Sequence, residues 1–332
     1  MDKVKYLIIR FSSIGDIVLT TPVVRCLKQQ VKHSEIHFLT KSQYKPLLEH
    51  NPYIDQLHTF DGSFPDLAQC LSSIEFDYII DLHKNLRSFR VKRLLKRVSF
   101  SFEKLNFQKW LYVIFKLNKL PDTHIVDRYM ATLEPFGVKN DGGGLDYFFS
   151  PSYITPDGFK TPTKSYIAVV LGANHATKQI PENLLIRIIE RVNKPVVLLG
   201  GPREVEQSAR INKRIKVETL NTCGNTTFDD SAYLLGQANV VLTPDTGMMH
   251  IAAALNKPIV SLWGNTVPQF GMYPYMKDGG APSLISEVQQ LKCRPCSKIG
   301  YAKCPKNHFN CMMQQDVEQI VNSILNYWNI HE

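Results

Sequence analysis

The sequence predicts an α/β protein built from two doubly wound domains. Short β-branched apolar runs alternate with amphipathic helical stretches through most of the chain. That alternation breaks once, in a glycine- and proline-bearing segment near the middle, and then resumes. The length, 332 residues, also exceeds what a single hydrophobic core ordinarily serves.

Residues 6–10 read as the first strand. Residues 17–31 read as a helix, with Ile17, Leu19, Val23, Val24 and Leu27 on its buried stripe. Strands follow at 36–39 and 78–81, and helices at 85–97, 105–118 and 124–136. Residues 139–164 carry Gly142-Gly143-Gly144, prolines and little periodicity. They read as the linker between a first domain (1–150) and a second (151–332), with Tyr147-Phe148-Phe149 able to pack on a domain. Strands resume at 166–171, 196–199, 240–242 and 259–262, with helices at about 182–192, 203–214, 229–237 and 247–255. A last helix can pack back on the first domain. Strands alternating with helices mean parallel sheets covered on both faces, with ligands at the carboxyl ends of the strands in a cleft between the domains.

Composition is ordinary for a soluble globular protein, with 44% hydrophobic and 21% charged residues and no apolar run long enough to span a bilayer. Met1-Asp2-Lys3-Val4-Lys5 lacks the layout of a secretion signal, so a cytoplasmic monomer is expected. Seven cysteines in such a chain argue against a disulfide framework. The net charge of +9 is concentrated: residues 84–109, beginning with Lys84, Arg87 and Arg90, hold nine Lys/Arg and one acid, Glu103. Such a patch serves lipid headgroups, a phosphorylated glycan or nucleic acid, or is a solvated helix face. The nucleic-acid reading leaves the acidic turns described next unexplained, so no nucleic acid is expected. Leu105, Trp110, Leu111, Ile114, Phe115 and Leu117 share a broad helix face that also bears Lys104, Lys109, Lys116 and Lys119. That suits peripheral contact with an anionic membrane.

Three turns at strand ends carry candidate chemistry. The first is Phe11-Ser12-Ser13-Ile14-Gly15-Asp16, where small residues and a glycine allow close approach of a ligand. Asp16 is either a helix N-cap, a catalytic base, or both. The second is Asp245-Thr246-Gly247 with His250, where the amides of a helix N-terminus suit a diphosphate. His250 can reach a phosphate oxygen or be a core histidine, and Asp245 suits sugar hydroxyls. The third is residues 172–181, in which Lys178 is either a point charge for a departing diphosphate or a surface lysine. More weakly, Gly200-Gly201 precedes Glu204, which can accept from ribose hydroxyls. Neither a G-x-G-x-x-G nor a P-loop pattern is present, and there is no Asp-x-Asp, so no metal-bridged diphosphate and no required cofactor are expected. Cys293, Cys296, Cys304 and Cys311, in a C-x2-C-x7-C-x6-C run, suffice for one structural zinc or are free thiols in a loop.

Together these turns resemble glycosyltransferase family nine, the ADP-heptose:lipopolysaccharide heptosyltransferases. The resemblance rests on residues 12–22 and on Asp245-Thr246-Gly247 with His250 and the Ala-Ala-Leu-Asn-Lys-Pro258 that follows. Where the family commonly has an aromatic residue near Lys178, this chain has Ile180. The resemblance implies a GT-B architecture and an inverting, metal-independent transfer, with Asp16 as general base. It further implies that Ser12, Ser13, Gly15, Lys178, Glu204, Asp245, Thr246, Gly247 and His250 hold the donor, ADP-heptose. The acceptor it implies is a lipopolysaccharide core or related lipid-linked glycan, met at the inner face of the inner membrane. The rival within the same fold is a different nucleotide-sugar donor.

Overall fold

The computed structural model describes residues 3–156 and 165–330. The chain divides into two compact units, one running up to Lys104 and again over Thr123–Pro151, the other comprising Leu105–Asp122 and the chain from Ser152 on.

In the first unit, β1 (Val4–Ile9) is followed by α1 (Ile14–Val18) and α2 (Thr21–Gln30), not by the single helix expected over 17–31. Pro22, in the first turn of α2, has no N–H to give and its ring opposes the carbonyl four residues back, so the helix restarts there. Then come β2 (Ser34–Lys41), β3 (Gln56–Phe60), α3 (Phe64–Ser72), β4 (Tyr78–Asp81), α4 (Leu86–Leu95) and β5 (Val98–Ser101). The five strands form a parallel sheet in the order β3-β2-β1-β4-β5. α5 (Asn106–Phe115) groups with the second unit, and the chain re-enters the first at α6 (Ile125–Met130). A 3₁₀ turn, Ala131–Phe136, replaces the second half of the helix expected over 124–136, and Pro135 lies inside it.

The start of the expected linker is built into this unit. The buried Arg25 guanidinium pairs with Asp141 and Asp146 and donates to the Gly144 carbonyl. Residues 157–164, the end of that segment, lie outside the described residues.

The second unit opens with β6 (Ile167–Val170), α7 (Glu182–Val192), β7 (Val196–Leu199), α8 (Val205–Asn212) and β8 (Thr219–Asn221). It continues with α9 (Phe228–Gln237), β9 (Val240–Pro244), α10 (Gly247–Ala254), β10 (Ile259–Trp263) and β11 (Ser283–Glu287). Its parallel sheet runs β11-β10-β9-β6-β7-β8. The short α11 (Asn310–Met313) and then α12 (Val317–Asn329) close the described chain. Ile320, Ile324 and Trp328 of α12 lie in the second unit's core with Leu185 and Ile188 of α7, which is where the last helix spends its apolar face. Among the described residues no helix is long and apolar enough to cross a membrane.

Both sheets reverse their winding beside their first strand, at β1/β4 and at β6/β9. Such switch points leave a crevice at the carboxyl ends of the strands, where ligands of open α/β sheets bind. The turns after β1, β4, β6 and β9 are therefore the places to look.

Away from these turns the first unit holds a polar chain whose two central histidines, His37 and His58, are buried. Glu35 meets His37 Nε2 at 3.0 Å, His37 Nδ1 meets His58 Nε2 at 2.9 Å, and His58 Nδ1 faces the Cys70 thiol at 3.7 Å. With both rings neutral every contact is satisfied: Cys70 donates to His58, His58 to His37, and His37 to Glu35. Burial, then the neighbouring His37, pushes His58 down to about 4. Between that value and the ordinary imidazole range the unfolded chain takes up a proton that the folded chain refuses, so stability falls as pH falls. Going from pH 7.5 to 5.0 should cost the first unit about 2 kcal/mol through this ring alone. Urea unfolding of the parent and His58→Leu at both pH values checks it. An equal acid loss in the two proteins would clear His58.

Candidate active site

In the first unit, Arg10 extends β1 and Asp16 sits at the third position of α1, with Ser13 at the N-cap. Asp16 is therefore not the N-cap itself, and Arg10, just before the turn, sets a second charge beside it. Its Oδ2 accepts from the Ser13 amide at 3.1 Å and the Ser13 hydroxyl at 2.8 Å, and its Oδ1 lies 2.7 Å from Arg10 Nη2. A carboxylate offers about four acceptor positions, and these contacts use three. The side chain remains 21% exposed. Burial pushes its pKa up, but the Arg10 charge and the two Ser13 hydrogen bonds outweigh burial, and the carboxyl is held below the ordinary range. Asp16 is thus an oriented carboxylate, ionised at neutral pH, with acceptor capacity left over.

Arg10 is fixed from the other side of the switch point. It donates to the Leu82 carbonyl beyond β4, to the Ser12 carbonyl and to the Tyr129 hydroxyl. The turn after β4 is ordered in turn by Asp81, which is fully buried. It accepts from the amides of His83 and Lys84 and the Ser88 hydroxyl, and pairs with Lys92 at 3.0 Å. Lys92, one of the residues of the basic run, therefore has a structural partner. Lys84 and Arg87 are exposed, and Arg90 lies over the Phe64 ring at 4.2 Å. Burial, with Arg10 next, lowers His83 to about 4, so this turn presents a neutral imidazole. Gly15 is buried in α1.

In the second unit the turns after β6 and β9 meet. Lys178 closes a 3₁₀ turn, Ala176–Lys178, and its Nζ lies 2.6 Å from Asp245 Oδ2, with the two side chains 18% and 10% exposed. The Thr266 hydroxyl donates to the same oxygen at 2.8 Å. Thr246 is the N-cap of α10, which leaves the amides of Gly247 and Met248 without intrahelical partners while Met249 N donates to the Thr246 carbonyl, and His250 is buried one turn on. An ammonium, a carboxylate and a helix N-terminus are thereby collected at one switch point. Ile180, in contrast, is buried in the core with Leu184 and Leu185, which explains how the family's aromatic residue is dispensable to the packing here.

Glu204 is buried beyond the carboxyl end of the neighbouring strand β7, and its Oε2 accepts from the Gly201 amide at 2.9 Å. A Cβ at Gly172 would come within 3.2 Å of that oxygen, so glycine is what lets β6 end so close to the carboxylate. Glu204 lines a cleft of about 350 Å³ together with Asn174, Arg203 and Gln207.

The cysteine segment, for which a structural zinc or free thiols are the two expectations, forms a loop beside the Lys178 turn. Among the described residues no three His, Cys, Asp or Glu side chains are set to hold a metal ion, and Cys293, Cys296, Cys304 and Cys311 are free thiols. Hydrogen bonds to backbone carbonyls order the loop. Arg294 donates to the carbonyls of Gly264 and Thr266 and pairs with Glu287 at 2.6 Å, while the Cys296 thiol donates to the Cys293 carbonyl. The loop also clamps the Lys178 turn. Thr177 N donates to the Tyr301 carbonyl at 3.2 Å, and Tyr301 N to the Thr177 hydroxyl at 2.8 Å. Arg294 and Tyr301 carried no sequence signal of their own because the cysteines dominate that stretch. Arg10 did carry one, as a cation ending an apolar strand.

A family model described as glycosyltransferase family 9 (heptosyltransferase) matches residues 65–301. Lipopolysaccharide heptosyltransferase 1 of Campylobacter coli is 22% identical over 289 residues, covering 79% of this chain and 84% of that protein. Among solved structures, a glycosyl transferase family 9 protein from Veillonella parvula superposes with a TM-score of 0.77 at 19% identity, covering 99% and 98% of the two chains. The heptosyltransferase WaaC of E. coli, solved with ADP, gives 0.71 at 19% identity, covering 97% and 99%. The fold is accordingly the GT-B fold of these enzymes. With a family model spanning most of its length, this chain belongs to glycosyltransferase family 9.

Proposed function

We propose that the protein transfers a heptose from ADP-heptose to a lipopolysaccharide core, or to a related lipid-linked glycan, with inversion and without a metal ion. The observation that carries this is the Lys178–Asp245 pair at the N-terminus of α10. It offers a cation and open amides to a diphosphate, and a carboxylate to the sugar hydroxyls next to it. His250 adds a donor to phosphate, and Glu204 stands in its cleft for the ribose. In the first domain the acceptor hydroxyl gives its proton to Asp16 as its oxygen attacks the anomeric carbon. The bond from that carbon to the diphosphate oxygen breaks on the opposite face, which inverts the centre. Lys178 and the α10 amides take up the charge that grows on the leaving diphosphate. These groups do the work that a metal held by Asp-x-Asp would otherwise do. A lipid-linked acceptor would put the reaction at the inner face of the inner membrane.

A panel of nucleotide sugars, assayed for nucleoside diphosphate release with heptose-free lipopolysaccharide as acceptor, tests the reading. ADP-heptose should be turned over fastest, and the rate should withstand EDTA. A faster reaction with another nucleotide sugar would replace the donor, and retention of anomeric configuration in the product would remove the single displacement.

The clamp on Lys178 gives a separate expectation. Gly300 has φ +127° and a Cβ there would lie 2.5 Å from His175 Cβ. Gly300→Ala should push the Lys178 turn away and cost about 1–3 kcal/mol of stability. ADP affinity, read by calorimetry, should fall with it. Unchanged affinity would show that the clamp does not position Lys178.

A further inference from the structure

We propose that α5 and the cysteine-bearing loop of the second domain together form a docking surface for an anionic lipid bilayer. The surface is argued from its own residues and does not depend on the transfer reaction.

α5 buries none of its residues. Its inner side is nonetheless anchored: Tyr112 and Lys109 meet the Phe270 ring, and Lys116 Nζ donates to the Pro295 carbonyl at 2.7 Å. Lys298 Nζ reaches back from the loop to the Asn106 carbonyl at 3.0 Å. The helix is thus held in one orientation, and the opposite side is apolar. Phe107, Trp110 and Ile114, three and four residues apart, stand on one face, and Phe115 and Leu117 continue it. These five side chains are between 42% and 66% exposed, and Phe107, Trp110 and Phe115 make ring contacts with one another. A helix with that face toward water needs a partner to cover it.

The charge around this ridge identifies the partner. Residues 105–121 contain three lysines and no acid, and residues 288–315 contain five Lys/Arg and no acid. The second stretch is hidden in the chain's overall balance and shows only when the fold brings the two together. Arg294 is spent on Glu287, whereas Lys119, Lys292, Lys303 and Lys306 are exposed, and Lys116 and Lys298 stay exposed while each donates to a backbone carbonyl. Ile299, 63% exposed, adds an apolar residue among those lysines. An aromatic and aliphatic ridge whose own segment and neighbouring loop bring lysines and no acid fits the interface of a bilayer with anionic headgroups, where the ridge enters the acyl boundary and the ammonium groups stay at the phosphates.

The chain supplies its own reporter. Of its three tryptophans, Trp263 and Trp328 are buried and Trp110 is the exposed one. Purified full-length protein is titrated at low salt with vesicles of phosphatidylethanolamine and phosphatidylglycerol, and with vesicles of phosphatidylcholine as the neutral control. Binding should occur to the anionic vesicles only and weaken with salt. Trp110 emission should shift to the blue and be quenched by brominated acyl chains. Ile114→Glu, at an exposed position and with its fold checked by circular dichroism, should weaken binding at least tenfold. Lys298→Glu and Lys303→Glu should each weaken it roughly fivefold. Absence of binding to the anionic vesicles overturns the proposal. So does binding with Trp110 emission unmoved, or binding that Ile114→Glu leaves unchanged. A Trp110 shift that follows protein concentration without vesicles also overturns it, making the face a contact between copies. Equal binding to an oligonucleotide with no Trp110 shift would assign the lysines to nucleic acid instead.

Discussion

Asp16→Asn should lower the transfer rate roughly 10²–10⁴-fold, the usual worth of a general base, because an amide cannot take the acceptor's proton. It should also cost stability. As an N-cap alone, Asp16 could become Asn with a change of a few tenths of a kcal/mol. The structure changes that expectation, since Asp16 is the ion-pair partner of Arg10, whose side chain is 9% exposed. Without the carboxylate, Arg10 keeps the Leu82 and Ser12 carbonyls and the Tyr129 hydroxyl but loses its counter-charge. A cost of about 1–3 kcal/mol follows, below that of a fully buried pair because Asp16 is partly exposed. The rate must therefore be read at a temperature where both proteins are folded. The parent's pH profile supplies a second check. A base works when deprotonated, so activity is lost as pH falls through its pKa, and with that pKa held down by Arg10 and Ser13 the acid limb should lie below the ordinary carboxylate range. Near-parental transfer by Asp16→Asn would make Asp16 a structural counter-ion for Arg10 and leave the reaction without its proton acceptor.

What was legible in the sequence, and what was not, divides along the sheets. The strands read from the sequence, β1, β2, β4, β6, β7, β9 and β10, are interior to their sheets. Buried on both faces, they are continuous apolar runs such as Val196-Val-Leu-Leu199. The four that were not read, β3, β5, β8 and β11, are the four sheet edges. Gln56–Phe60, Val98–Ser101 and Thr219–Asn221 are half exposed and carry polar residues, so neither an apolar run nor a clean alternation marks them. The site divides in a similar way. Residues at the starts of helices announced themselves through glycine and small neighbours, as at Gly15-Asp16 and Thr246-Gly247. Their partners come from elsewhere in the chain: Leu82 and Tyr129 to Arg10, Thr266 to Asp245, Tyr301 to Thr177. Spacing along a chain carries no trace of pairings set by sheet order. The same holds for α5, whose lysines read as an extension of the basic run of the first domain but which belongs with the loop of the second.

Lys178→Ala should lower both donor affinity and turnover, with transfer down roughly 10²–10³-fold, as when one donor to a developing anion is removed. The diphosphate is charged in the ground state and more so as it leaves, so an ammonium at 2.6 Å from Asp245 serves both stages. The substitution does a second thing, however. It strips the cation from Asp245, whose side chain is 10% exposed and would keep the Thr266 hydroxyl as its remaining hydrogen bond. That costs about 1–3 kcal/mol of stability by itself. The two effects separate in a double-mutant cycle. Adding Asp245→Asn to Lys178→Ala removes the stranded charge and should return most of the lost stability, because the two residues are coupled. It should not return donor affinity, because the phosphates still lack their cation. Thermal stability, ADP affinity and transfer rate are measured for the parent, both single variants and the double. Recovery of stability without recovery of affinity assigns Lys178 to the diphosphate. Recovery of all three would mean that Lys178 acts only by holding Asp245, and the charge on the leaving group would then rest on the α10 amides and His250.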